Sequence, residues 1–384
     1  ELVRRGNEKV LRARLTDAKF FYEEDQKLRI ETALERLETI VFHEELGTIG
    51  DKVRRIGKLA AKLAARAGLN PETKRLVERA AQICKFDLVT QMVYEFPELQ
   101  GIMGEDYARK LGEPEEVAVA VSEHLRPRFS GDAGPASAVG AIVSIADKID
   151  TIAGCFSIGI VPTGSQDPYA LRRQAAGIVQ VLLEHEFPVE LDELFRDALA
   201  AHAEQRPLKR GEEETLADLH GFFQLRVRNV LNDRVRYDIA DACLAAGIGR
   251  IPAVIRKADA LSAFLGRADA KETVEAWIRV CNLAVRAETD RIDTSLFDQQ
   301  VEWDLYNKTN SVHTIYQEKM SRGEEAEALA ALAGLKDAIG RYFDAVMVMA
   351  ENPALRSTRL ALLARTAQPI REFADFSKLV WTST

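Results

Sequence analysis

GDKVRRIGKLAAKLA, residues Gly50 to Ala64, sets apolar side chains at Val53, Ile56, Leu59, Ala60 and Leu63. Steps of three and four place them on one face of a helix. The same period recurs in nearly every segment and strict alternation is almost absent, so the expected fold is all-α. Ala-rich runs such as Gly57 to Ala67 and Glu324 to Ala338 add intrinsic helix propensity. A chain of 384 residues exceeds the usual size of one hydrophobic core, which predicts two or three domains. With 47% hydrophobic and 29% charged residues it has the composition of a packed globular protein.

Helices are expected to break at Gly68 to Pro71, Gly112 to Pro114, Arg126 to Pro135, Val161 to Pro168, Gln205 to Glu213, Gly247 to Pro252 and Asn352-Pro353. The main boundary is expected near Arg206 to Glu214, where a charged stretch separates two apolar-periodic halves. Asp167-Pro168 predicts a helix start with a carboxylate cap and proline in the first turn. Asp238 with Asp241 predicts a second, short helix start.

Uncharged stretches such as Ala133 to Ala146 are too short and too rich in Gly, Ser and Pro to span a bilayer, so no membrane segment is expected. Glu1 opens the chain without Met and without a signal-peptide core, so the natural N-terminus is expected to be missing. Cys84, Cys155, Cys243 and Cys281 are scattered, which suggests neither a zinc site nor a disulfide framework and fits a reducing cytoplasm. With 52 basic against 60 acidic residues the formal charge is -8, so any RNA contact must use local patches.

The run Gly50 to Ala64, with AAQICKFD at Ala80 to Asp87 and IADKID at Ile145 to Asp150, resembles the HD phosphohydrolase fold. That chemistry needs a ring of His and Asp ligands around one or two divalent ions. Here Asp51 or Lys52 stands where the first His is expected, and Lys85 or Phe86 replaces the His of the central pair. Asp87 and Asp147 remain, and two carboxylates make a poor site, so no bound metal is expected. His43 and His124 lie outside the motif's positions and are expected at the surface or as caps. Asp147 and Asp150 lie opposite Ile142, Ile145, Ile149 and Ile152, which predicts a solvated or salt-bridged face.

Three further segments carry a more specific resemblance. They are KFDLVTQMVYEFPELQGIMG at Lys85 to Gly104, then ADKIDTIAGCF at Ala146 to Phe156 continuing into PTGSQDPYALRR at Pro162 to Arg173. VMVMAE at Val346 to Glu351, RLALL at Arg359 to Leu363 and DFSKL at Asp375 to Leu379 close the chain. Together they resemble the β subunit of the bacterial heterotetrameric glycyl-tRNA synthetase, from NEKVLRARL at Asn7 to Leu15 almost to the last residue. Phe86 and Tyr94 depart from the small residues of that pattern.

The resemblance implies a C-terminal fragment. The end of a truncated preceding domain would fill residues 1–40, a degenerate HD-like domain 41–160, a signature helix and linker 161–213, and a helical DALR-like anticodon-binding domain 214–384. It also implies that ATP, glycine and magnesium are handled by a separate α subunit in an α2β2 complex. This chain would bind glycine tRNA, hold no cofactor and have no catalytic residue of its own. The absence of a P-loop and of strands for a catalytic sheet agrees. The rival functions are a metal-dependent HD-type phosphohydrolase and a non-catalytic helical scaffold.

RNA contact calls for Lys or Arg on phosphates and for stacking and edge hydrogen bonds on bases. Around Val274 to Val285, the apolar face is expected to comprise Val274, Trp277, Ile278, Cys281 and Val285. Arg279, Asn282 and Arg286 then share a different face, either as a reader or as a solvated strip paired with Glu275 or Glu288. Arg256, Lys257, Arg356 and Arg359 each follow a break and are further candidates. Arg226, Arg228, Arg234 and Arg236 spread around their helix and suggest solubility. Arg172 and Arg173 open the signature helix, with pairing to Asp147, Asp150 or Asp167 favoured over phosphate contact. A helix from Leu332 to Met349 is expected, and Glu95 to Gly104 is expected to be core rather than docking surface.

Overall fold

The computed structural model describes residues 2–381. Among them the chain is helical apart from one short hairpin, Val41–His43 paired with Gly47–Thr48. The helices form two compact units, residues 1–226 and 227–384, and the helix Glu212–Asn232 runs through the division.

The first unit is organised by the helix Ala138–Ser157, in which every residue from Val139 to Ser157 is buried. A helix that is apolar on nearly every side has to be enclosed. Ile49–Arg66, Pro71–Ile83, Glu115–Glu123, Leu171–Glu184 and Leu191–Gln205 pack around it. The face holding Asp147 and Asp150 is therefore not solvated: Asp150 is wholly buried, and the salt-bridged alternative is what the fold contains.

Side chains cap the helices that follow several of the expected breaks. Thr48 and Asp51 form a capping box, the Thr48 amide donating to Asp51 at 2.9 Å and the Asp51 amide to the Thr48 hydroxyl at 3.1 Å. Asn70 caps Pro71–Ile83 by accepting from the Thr73 amide at 2.8 Å, and Asn352 caps Pro353–Phe373. Asp167 does cap its helix, accepting from the amides of Leu171 and Arg172 at 2.7 and 3.0 Å. The helix itself starts at Leu171, because Pro168 and Tyr169 form a turn and Ala170 takes a left-handed φ of 52°.

The second unit contains Tyr237–Ala245, Ile251–Phe264, Ala270–Ala284, Gln300–Ser321, Glu325–Ala333, Lys336–Ala345 and Pro353–Phe373, and Trp277 is wholly buried within it. Its ring lies 5.5 Å from Phe264 and 4.6 Å from Phe376, and its indole N–H donates to the Leu332 carbonyl at 3.3 Å. The helix expected from Leu332 to Met349 is instead two, split at Gly334 and Leu335 and ended at Ala345. Asp238 is not a cap, since Arg236 takes that position. Its buried carboxylate accepts from the Arg236 guanidinium and the Val380 amide. Among the described residues no helix is long and apolar enough to cross a membrane.

Candidate functional site: a lysine-filled cleft and an exposed polar strip

The capping box turns Asp51 to the helix start, where it pairs with Arg54 at 2.6 Å. Lys52, one residue on, points the other way into the bundle. Its ammonium donates to the Asp147 carbonyl at 3.1 Å, to Asp150 at 2.9 Å and to the Thr151 hydroxyl at 2.8 Å. Of the two candidates for the first His position, Lys52 is thus the one that faces the central helix. Phe86 is core, and Lys85 reaches Asp147 at 2.6 Å. Two ammonium groups therefore sit on the carboxylate that the motif assigns to a metal.

Asp87 is tied elsewhere. It accepts the Gly101 amide at 2.6 Å, and a Cβ on Gly104 would stand 2.7 Å from the same carboxylate oxygen. Glycines at both positions let the chain close over Asp87. The remainder of Glu95 to Gly104 is not core: only Gly101 and Gly104 are buried there, and Ile102 is 51% exposed. Asp87 and Asp147 thus serve different partners, and an Asp147 carboxylate held by two lysine ammoniums is a poor ligand for a divalent ion.

Several members of this cluster escaped sequence reading. His124, expected at the surface or as a cap, is wholly buried and stands at the C-cap of the helix Glu115–Glu123. Burial and the neighbouring Lys85 hold its pKa well below 6.5, so the ring is neutral. Its Nδ1 lies 2.6 Å from the Val121 carbonyl and must carry the proton, leaving Nε2 to accept from Lys85 at 3.0 Å. Arg55, one turn beyond Lys52, grips Asp150 at 2.6 and 3.2 Å. His202 meets the Asp150 carbonyl at 2.9 Å. Lys148 donates to the carbonyls of His124 and Arg126 and to Ser144 at 3.1, 2.8 and 2.7 Å. The available signal was a set of charged residues inside an otherwise apolar helix, which has to find partners when buried.

The carboxylates titrate accordingly. Burial raises the pKa of Asp147, but the ammoniums of Lys85 and Lys52 outweigh it and hold the group well below the ordinary range. Burial acts likewise on Asp150 and is overcome by Lys52, His202 and Arg55. Asp87 has weaker compensation, and burial pushes it up to about 6.

In the second unit Arg279 and Asn282 lie exposed on the helix Ala270–Ala284, and Arg286 lies exposed in the turn that follows. None pairs with Glu275 or Glu288 among the described residues. The Arg279 guanidinium instead lies over the Phe343 ring, 4.0 Å from its centre. Val285 is 70% exposed and Val280 is buried in its place. Ile278, Cys281 and Val285 consequently form a second, half-covered strip. With Trp277, Asn282, Arg371, Asp375 and Ser377 it lines a cavity of about 350 Å³.

The other candidates divide. Arg359 is only 3% exposed, with its guanidinium on Glu302 at 2.7 Å and Asp298 at 2.8 Å, so it is an internal tie and no phosphate contact. Arg256 is bonded to Glu325 at 2.7 Å, Lys257 to the Glu372 carbonyl at 2.6 Å, and Arg356 to the Ala350 carbonyl at 3.2 Å. Arg172 and Arg173 form no ion pair among the described residues, because Asp167 serves backbone amides and Asp147 and Asp150 serve lysines and Arg55. Arg226 lies over the Phe222 ring, and Arg228, Arg234 and Arg236 pair with Asp241, Asp259 and Asp238.

Residues 1–245 match the family described as glycyl-tRNA synthetase beta subunit, and residues 273–376 match the DALR anticodon binding domain. The chain is 49% identical over 383 residues to the glycine--tRNA ligase beta subunit of Halalkalibacterium halodurans, covering 99% of this chain and 55% of that protein. It is 47% identical over 381 residues to the protein of the same name from Bacillus subtilis, covering 99% and 54%. The chain thus spans about half the length of the curated relatives it matches.

Proposed function

The chain belongs to the glycyl-tRNA synthetase β-subunit family, and from that premise we propose that it recognises glycine tRNA within an aminoacylating complex. The observation that carries the proposal is the strip Arg279, Asn282 and Arg286, which lies exposed and without ion pairs inside the segment that matches an anticodon binding domain. Two guanidiniums suit phosphates or a stacked base, and an amide suits a base edge. The cavity beside Asn282 presents the hydrogen-bonding groups of Arg371, Asp375 and Ser377 next to the half-covered Ile278 and Cys281, polar and apolar surface that suits the edge and face of a splayed single-stranded base.

Activation of glycine with ATP and magnesium would belong to a separate α subunit, assembled with this chain as α2β2 in the cytoplasm. No cofactor is assigned to this chain. The phosphohydrolase alternative is disfavoured because Lys52 and Lys85 hold the Asp147 carboxylate that a metal centre would need. A pure scaffold is disfavoured by the unpaired strip.

Filter binding of the chain to glycine tRNA and to an anticodon-swapped transcript tests the proposal. The expected result is tighter binding of glycine tRNA, with affinity falling steeply as salt rises. Equal binding of both transcripts would remove anticodon reading from this chain, and binding of neither would leave only the scaffold.

A further inference from the structure

The lysine cluster opens into a cleft of about 460 Å³, within the roughly 300–1,000 Å³ typical of small-molecule sites. Lys52, Lys85, Arg128, Lys148 and Arg173 line it against a single carboxylate, Asp147. Counting the buried layer beneath adds Arg55, Asp87 and Asp150, and Asp132 accepts from the Arg128 amide at 2.7 Å, so six basic side chains face four carboxylates. Arg128 is satisfied by the Gln100 carbonyl at 2.6 Å and Lys148 by two carbonyls and a hydroxyl, groups that carry no net charge. Positive charge partly removed from water without a counter-charge is unfavourable, and an entering anion would relieve it. Burial is the main cause that pushes the Lys148 pKa down to about 7, with Lys85 and Lys52 adding to it and Asp147 and Asp132 opposing it.

Donor capacity remains at the cleft wall. The Lys52 and Lys148 ammoniums each have three acceptors, whereas Lys85 has two, His124 and Asp147, and keeps a third proton. Arg173 is exposed and has no ion-pair partner among the described residues. The Phe42 ring stands 4.9 Å from the Lys52 ammonium and 6.4 Å from the Tyr169 ring, an aromatic corner beside the cationic wall.

We propose that this cleft binds a free nucleoside monophosphate without a metal, its phosphate on Lys85, Arg128 and Arg173 and its base against Phe42 and Tyr169. Lysine ammoniums take the place of a divalent ion as the source of positive charge. The inference concerns the first unit and does not depend on RNA recognition by the second.

Calorimetric titration of the intact chain with AMP, adenosine and inorganic phosphate, in buffer containing a chelator, tests it. AMP is expected to bind, phosphate to bind more weakly, and adenosine not to bind measurably. Arg173→Ala removes an exposed side chain, so the fold persists, and it should weaken AMP about tenfold by loss of a charge-assisted contact. Absence of AMP binding at millimolar concentration, adenosine binding as tightly as AMP, a requirement for added metal, or unchanged affinity in Arg173→Ala would each overturn the proposal.

Discussion

Asp150 holds together three elements through one side chain, accepting from Lys52 and Arg55 on one helix while His202 approaches from another. Breaking a buried pair from one side leaves uncompensated charge, so Asp150→Asn should lower unfolding free energy by about 3–5 kcal/mol in urea titration. The folded pKa of Asp150 is depressed, so its contribution is present above the unfolded value of about 3.9 and declines as the pH falls below it. The gap between wild type and Asp150→Asn should therefore narrow in acid. Lys148 has the opposite sign. Burial, with the Lys85 and Lys52 ammoniums, lowers it to about 7 against an ordinary value near 10.4, so between these pH values the unfolded chain binds more protons. Wild type should gain stability relative to Lys148→Met as the pH rises from 7 to 10, and a constant difference across that range would contradict the assignment. The identity of these partners was hidden in the sequence. The HD resemblance narrowed the replacements to Asp51 or Lys52 and to Lys85 or Phe86 without choosing between them, and Arg55, His124 and His202 come from turns whose approach depends on tertiary packing.

At the scale of elements, the bundle closes where small residues allow it. A Cβ on Gly154 would stand 2.6 Å from the His202 ring, so the helices Ala138–Ser157 and Leu191–Gln205 meet there with no space for a side chain. Gly154→Ala should cost about 1–3 kcal/mol through overpacking, measurable as a lowered urea midpoint, and an unchanged midpoint would show that the two helices separate freely. Helix placement was legible because breaks such as Gly68 to Pro71 and Asn352-Pro353 carry their own capping chemistry. Less legible were the ends governed by tertiary contacts. Gly334 and Leu335 interrupt a run of strong helix formers, and Asp167 caps a helix across a turn rather than from its first residue. Glu95 to Gly104 misled by its apolar composition, since its glycines rather than its large side chains are what the interior uses.

For the whole molecule, a net charge of -8 means that the proposed attraction to RNA would have to come from local strips. Paired arginines in the second unit, such as Arg228, Arg234 and Arg359, are neutralised by carboxylates, and the exposed Arg279 and Arg286 stand out against them. That contrast was only partly legible, because periodicity grouped Arg279, Asn282 and Arg286 on one face but gave no means of discarding Arg359. The measurement that bears most directly on the central claim is the affinity of Arg279→Ala for glycine tRNA and for the anticodon-swapped transcript. The account predicts a loss of about 1–3 kcal/mol on glycine tRNA and a smaller difference between the two transcripts than wild type shows. Undiminished affinity and discrimination in that variant would contradict it.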